Sequence, residues 1–188
     1  MKNLRIFFAI PLNEELSALC REFTEACENQ SIRWIAPENL HVTLVFLGDF
    51  PENLLSSLLQ HVENQLFKSK SFEIVFEKFT YYPYKKPVMI WGKFFENPQY
   101  SGFVRLLNKA CEDFYFDHHL EFTDHLHKDQ IPHITLSRLK KQPHNLFPLP
   151  EAFNLHVRLN VSKYCLYQSE LLSDGARYTL LHDFSLKA

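Results

Sequence analysis

Two four-residue segments of this chain carry the residue types needed to move protons at a phosphorus centre. His41-Val42-Thr43-Leu44 and His133-Ile134-Thr135-Leu136 each read His, apolar, Thr, apolar, and their histidines lie 92 residues apart in a chain of 188. On a strand, side chains at i and i+2 share a face. Each segment, if extended, therefore presents an imidazole beside a hydroxyl and turns its apolar residues the other way. Two such pairs facing each other supply two groups that titrate near neutrality and two hydroxyl donors. One imidazole can take a proton from an attacking oxygen while the other gives one to a leaving oxygen. The hydroxyls can donate to the oxygens on which charge accumulates. This scheme uses no metal and no cofactor. Chance is the rival explanation, since 10 histidines and six threonines give about a third of one His-x-Thr by accident. Two are present, both in apolar β-type runs.

The elements that must hold these residues follow from periodicity. Leu4 to Ile10 reads as a buried strand, and Asn13 caps a helix whose stripe is Leu16, Leu19, Phe23 and Ala26. Arg33-Trp34-Ile35 is a short extended piece. Leu40 to Leu47 is the first motif strand, ended by Gly48-Asp49, and Pro51 suits the first position of the next helix. Phe72, Ile74 and Phe76 alternate as a strand; Tyr81-Tyr82-Pro83-Tyr84 turns the chain, and Val88 to Phe95 returns. Pro98 opens a third helix. Ile131 to Leu139 is the second motif strand, the run Leu155 to Val161 alternates, Ser173-Asp174-Gly175 signals a turn, and Arg177 to Phe184 closes the chain. Seven strands and three helices in this order predict an α+β fold with mostly antiparallel sheets, in a single domain spanning residues 1–188.

Bulk numbers narrow the function. Twenty basic against 22 acidic side chains leave no excess for a long nucleic-acid track or an anionic membrane face. A nucleic-acid ligand is then short or gripped at one end. Cys20, Cys27, Cys111 and Cys165 form no C-x-x-C pair and read as free thiols of a reducing, cytoplasmic compartment. No apolar stretch reaches membrane-spanning length, and the run after Met1 is too short for a signal peptide. With 4 glycines against 18 phenylalanines, the chain has no glycine-rich phosphate loop.

Several segments resemble one family. Arg5-Ile-Phe-Phe-Ala-Ile-Pro-Leu12, Arg33-Trp34, Pro37-Glu-Asn-Leu-His-Val-Thr-Leu-Val-Phe-Leu-Gly48, Pro132-His-Ile-Thr-Leu-Ser-Arg138 and Leu166-Tyr-Gln-Ser-Glu-Leu171 resemble the RNA 2',3'-cyclic phosphodiesterases, or 2'-5' RNA ligases, of the 2H phosphoesterase superfamily. The resemblance implies two pseudo-symmetric lobes with antiparallel sheets, flanked by helices, around a central cleft. It implies metal-independent opening of RNA 2',3'-cyclic phosphate ends, those of tRNA fragments included, to 2'-phosphomonoesters, with 2'-5' ligation as the reverse. It also suggests His41 as proton donor, His133 as proton acceptor, Thr43 and Thr135 as their partners, and Arg138 at the phosphate. The nearly identical motifs do not by themselves assign donor and acceptor. Where the family often carries Arg after the first His-x-Thr-Leu, this chain has Val45.

Other residues have weaker claims. Arg138 lies five residues past His133, an odd offset that points away from it unless a bulge intervenes. Tyr81 and Tyr82 are candidates to stack on a base, whereas Phe46 reads as packing. Lys85-Lys86 and Lys140-Lys141 could steer RNA but read more simply as solvated pairs. His125-x-His127 with Asp117, Asp124 or Asp129 would be the place for a metal. Asp117-His118-His119 is the tripeptide of the manganese-dependent DHH phosphoesterases, whose further Asp motifs are missing. The competing functions are a 2'-5' oligonucleotide or small cyclic-nucleotide phosphodiesterase and a non-catalytic RNA-end-binding module. A monomer with no membrane partner is expected.

Overall fold

The computed structural model describes residues 2–27, 32–122, 131–139, 146–153, 156–173 and 175–188. Its elements are β1 (Asn3–Pro11), α1 (Glu14–Ala26), β2 (His41–Pro51), α2 (Leu55–Leu66), β3 (Phe72–Tyr82), β4 (Met89–Phe94), α3 (Pro98–Asp117), β5 (His133–Arg138), β6 (Arg158–Val161), β7 (Lys163–Leu172) and β8 (Gly175–Ser185). The eight strands form one sheet in the order β6-β3-β4-β5-β2-β1-β7-β8, with every neighbouring pair antiparallel. The α+β class is as the sequence predicts. The two motif strands, β5 and β2, are the middle pair, with three strands outside each.

One face of the sheet carries the helices. Asn13 caps α1 by accepting from Leu16 N at 2.9 Å, and Asn97 caps α3 by accepting from Tyr100 N at 2.9 Å. Phe23 of α1 stacks on Phe79 of β3 at 3.8 Å, Phe114 of α3 meets Phe50 of β2, and Phe103 meets Tyr164 of β7. Val42 and Ile134, the apolar residues inside the two motifs, have no exposed surface. Their burial against the helices fixes which way the motif strands face, because a one-residue slip would put the histidines into the core.

Three expectations change. Gly48-Asp49 does not end β2, which runs on to Pro51. Gly48 sits beside a bulge at φ +69°, a backbone geometry that favours glycine, and pairs with Ile6. Pro51 is the last strand residue, and a 3-10 turn over Glu52–Leu54 precedes α2. There is also an eighth strand, β7, which periodicity did not mark. The expected turn at Asp174, the residues around His125 and the Lys140-Lys141 pair lie outside the described residues.

Candidate active site

Both motifs lie extended, and a single register relation assembles the site. Val42 is opposite Ile134 in the antiparallel β2–β5 pair. His41 then lies across from Thr135, and Thr43 across from His133, all four on the face away from the helices. Each motif shows the same burial sequence: half-buried His, buried apolar, half-buried Thr, then two buried residues.

Those two consecutive buried residues mark a bulge in each strand. On β2, Thr43 pairs with Ala9 and Val45 with Phe8, so Leu44 has no partner. On β5, Thr135 pairs with Trp91 and Ser137 with Ile90, so Leu136 has none. A bulge sets two successive side chains on one side and inverts the alternation of the residues beyond it. Phe46 and Arg138, each five residues past its histidine, therefore return to the histidine face. Val45, where the family often has Arg, occupies the buried bulge position. Carbonyls around the bulges find other donors: the Tyr100 hydroxyl donates to Thr43 O at 3.1 Å, and Ile35 N donates to Leu136 O at 2.8 Å.

The imidazoles are anchored alike. His41 Nδ1 lies 2.7 Å from Asn39 O and His133 Nδ1 lies 3.0 Å from Ile131 O. A carbonyl only accepts, so each Nδ1 carries the hydrogen and each Nε2 is the nitrogen that exchanges protons. In neutral His41, Nε2 accepts from the Thr43 hydroxyl at 3.0 Å. Burial pushes the His41 pKa down to about 4; the Asn39 carbonyl raises it and the charge of His133 lowers it further. His41 is accordingly neutral at pH 7.

Each histidine has its own aromatic wall. Trp91 lies flat on His133, with centroids 3.7 Å apart and planes at 17°, and Tyr82 lies flat on Trp91 at 3.4 Å. Around His41, Phe7 approaches to 4.9 Å and Tyr178 stands edge-on at 5.3 Å. Burial raises the Tyr178 pKa, and the charges of Arg138 and Arg5 oppose that rise. Arg138 is thereby near the ring that touches His41, as the bulge requires. Arg5 also covers the Phe46 ring at 4.8 Å. Lys93 is the β4 partner of His133 and pairs with Glu77 at 2.7 Å.

The structure thus brings together His41, Thr43, His133, Thr135, Arg138 and Tyr82. It does not bring Tyr81 to them. Tyr81 follows strand alternation to the helix side, meets Phe147 at 6.0 Å and donates its hydroxyl to Phe147 O at 3.2 Å. Sequence reasoning missed Trp91, Phe7, Tyr178 and Lys93. Met89, Trp91 and Lys93 do alternate along one strand face, but only the β4–β5 pairing reveals that the face meets His133.

Comparison with known proteins gives concordant matches. The family model described as LigT like Phosphoesterase matches residues 9–91, a span that includes the first motif. A Thermus thermophilus protein named RNA 2',3'-cyclic phosphodiesterase is 30% identical over 188 residues, covering 98% of this chain and 91% of the relative. A Thermotoga maritima protein of the same name is 26% identical, covering 96% and 94%. A crystal structure of a Thermus thermophilus protein superposes with a TM-score of 0.82 at 27% identity, over 98% of each chain.

Proposed function

The chain belongs to the RNA 2',3'-cyclic phosphodiesterases of the LigT-like phosphoesterases, and from that premise we propose that His41 and His133 are the acid–base pair with which it opens cyclic RNA ends. The protein is a hydrolase of 2',3'-cyclic phosphates. The observation that carries the residue assignment is the register of Val42 opposite Ile134, which sets two His–Thr pairs on one face about a common centre.

In the proposed reaction a water oxygen attacks phosphorus while His133 Nε2 takes its proton. The bond from phosphorus to the 3' oxygen breaks, His41 Nε2 delivers a proton to that oxygen, and a 2'-phosphate remains. Thr43, Thr135 and Arg138 donate to the non-bridging oxygens. The imidazolium formed on His133 rests against the face of Trp91, a cation–π contact worth about 0.5–2 kcal/mol. Burial keeps His41 neutral at pH 7. The donor role therefore requires that a proton arrive with the substrate, whose negative charge opposes the effect of burial. Tyr82, the outermost ring of the Trp91 stack, offers a face to the terminal base. With the 5'-hydroxyl of a second RNA end in place of water, the same steps join RNA halves: its oxygen bonds to phosphorus, His133 takes its proton, the bond to the 3' oxygen breaks with a proton from His41, and a 2'-5' bond remains. Both His–Thr pairs come from one chain, which supports a monomer acting as one bilobal unit over residues 1–188. Free RNA ends, such as those of tRNA fragments, are the proposed substrate, and the cytoplasm the proposed compartment.

The test offers an RNA oligomer ending in a 2',3'-cyclic phosphate and separates the 2' from the 3' phosphate product. His41→Ala and His133→Ala should each lower kcat/KM by about 10²–10⁴-fold with melting curves of native shape. Near-normal turnover by either folded variant would overturn the assignment. Turnover should also survive exhaustive chelation; complete loss restored by manganese or zinc would replace the two-histidine scheme with a metal-dependent one.

A further inference from the structure

We propose that the β3–β4 hairpin is the binding site for the RNA strand that leads up to the cyclic end, so that the protein favours oligomers over single nucleotides. This rests on the reading of the substrate as an RNA end and adds where the rest of that RNA lies. The first observation is charge. Residues 78–95 hold Lys78, Lys85, Lys86 and Lys93 and no Asp or Glu, in a chain whose net charge is −2. Lys93 and Lys78 share Glu77 at the base of the hairpin, at 2.7 and 3.4 Å. Lys85 and Lys86 are exposed at the tip, with no ion pair among the described residues. A phosphodiester strand needs such a local excess of cations even where the whole protein has none.

The second observation is an unbroken aromatic path. Tyr82 stacks on Trp91, and Trp91 on His133, so the rings lead from a catalytic imidazole outward along the site face. Two residues beyond Tyr82, at the turn, Tyr84 is 89% exposed. An aromatic ring left to water contributes little to folding, whereas an unpaired base is a ready stacking partner for it. Arg138 joins the edge of this strip, since it pairs with Met89, which in turn pairs with Tyr82. The opposite bank is built differently. Tyr167 and Tyr178 both pack on Phe7, and Phe7 and Tyr178 close around His41. Nearby β7 and β8 mix Glu170 and Asp183 with Arg177 and Lys163. The hairpin is the side on which a polyanion carrying stackable bases is complemented.

The test compares two substrates, adenosine 2',3'-cyclic phosphate and a single-stranded RNA oligomer with the same terminus. The variants are Tyr84→Ala, Lys85→Ala/Lys86→Ala, the triple change, and Lys85→Arg/Lys86→Arg as the charge-conserving control. The triple variant should raise KM for the oligomer about tenfold, with kcat little changed. Its oligomer affinity, read by fluorescence anisotropy, should lose about 1 from the magnitude of its log–log salt slope. The arginine control should keep wild-type behaviour, and the mononucleotide should be opened at the wild-type rate by every variant. Equal losses on both substrates, or an unchanged oligomer KM and salt slope in the folded triple variant, would overturn the proposal. A wild type that binds the oligomer through the hairpin but opens neither substrate would instead overturn the reaction assigned above.

Discussion

His41 shows how far residue type and residue state differ. Its identity and its two-residue spacing to Thr43 can be read directly from the chain. Its protonation state cannot, because that comes from burial under Phe7 and Tyr178 and from the Asn39 carbonyl, contacts supplied by β1, β8 and the turn before β2. The consequence is measurable. An imidazole whose pKa falls from 6.5 to about 4 on folding leaves the unfolded chain binding the proton that the native chain refuses. Stability is therefore complete above pH 6.5 and declines as pH falls toward 4. Allowing for the partial exposure of the ring, His41 should account for about 1–2 kcal/mol of that loss. Urea unfolding of wild type and His41→Asn across this window tests it: the variant's stability should decline less by that amount. Parallel decline in the two proteins would mean that the native ring protonates normally. Trp91 and Tyr178 were illegible for the same reason as the pKa, since each meets its histidine only after strands distant in sequence have paired.

Among elements, the two bulged strands decide what the site contains. A regular β5 would send Arg138 to the helix side; the unpaired Leu136 returns it to the face of His133. Nothing in His-Ile-Thr-Leu-Ser-Arg announces that bulge beyond a serine where an apolar residue would fit, and Ser137 is fully buried with its hydroxyl on Arg33 O. Strand β7 escaped periodicity for a related reason. Tyr164, Cys165 and Leu166 are buried in succession and the register with β8 shifts after Leu166, so no clean alternation survives. The element-scale test falls on Tyr100, which crosses from α3 to satisfy Thr43 O beside the first bulge. Tyr100→Phe keeps the ring but leaves a buried carbonyl without its donor, at a cost of about 1–3 kcal/mol. In a chain of this length that lowers Tm by about 2–4 °C per kcal/mol. Because Thr43 is the residue released, kcat should fall while KM for the cyclic phosphate holds. An unchanged Tm would show that another donor, or water, replaces the tyrosine.

For the whole molecule the important line is the seam between β2 and β5. The sheet order places β6, β3, β4 and β5 on one side and β2, β1, β7 and β8 on the other, and the halves meet where Val42 faces Ile134. Strands β1, β2, β7 and β8 make one half and β3, β4, β5 and β6 the other, while α1, which follows β1 in the chain, stacks its Phe23 on Phe79 of β3 across the seam. The chain thus returns across the seam, which is why no linker is visible in the sequence. Each half owns one histidine, one threonine and one aromatic wall, so a phosphate seated at the centre must touch both. Such a ligand acts as a bolt through the seam. At a concentration near 100 times its Kd it stabilises the folded state by about 2.7 kcal/mol, and a protein of this size should then melt about 5–11 °C higher. Thermal unfolding in inorganic phosphate, against sulfate-free buffer of equal ionic strength, measures the shift. His41→Ala and His133→Ala should each remove most of it, although each mutates only one half. The shift should also be larger at pH 6 than at pH 8, because an anion that restores the proton affinity of His41 binds together with that proton. A single-histidine variant that keeps the full shift would place the phosphate on one half alone, and the seam would lose its part in the chemistry.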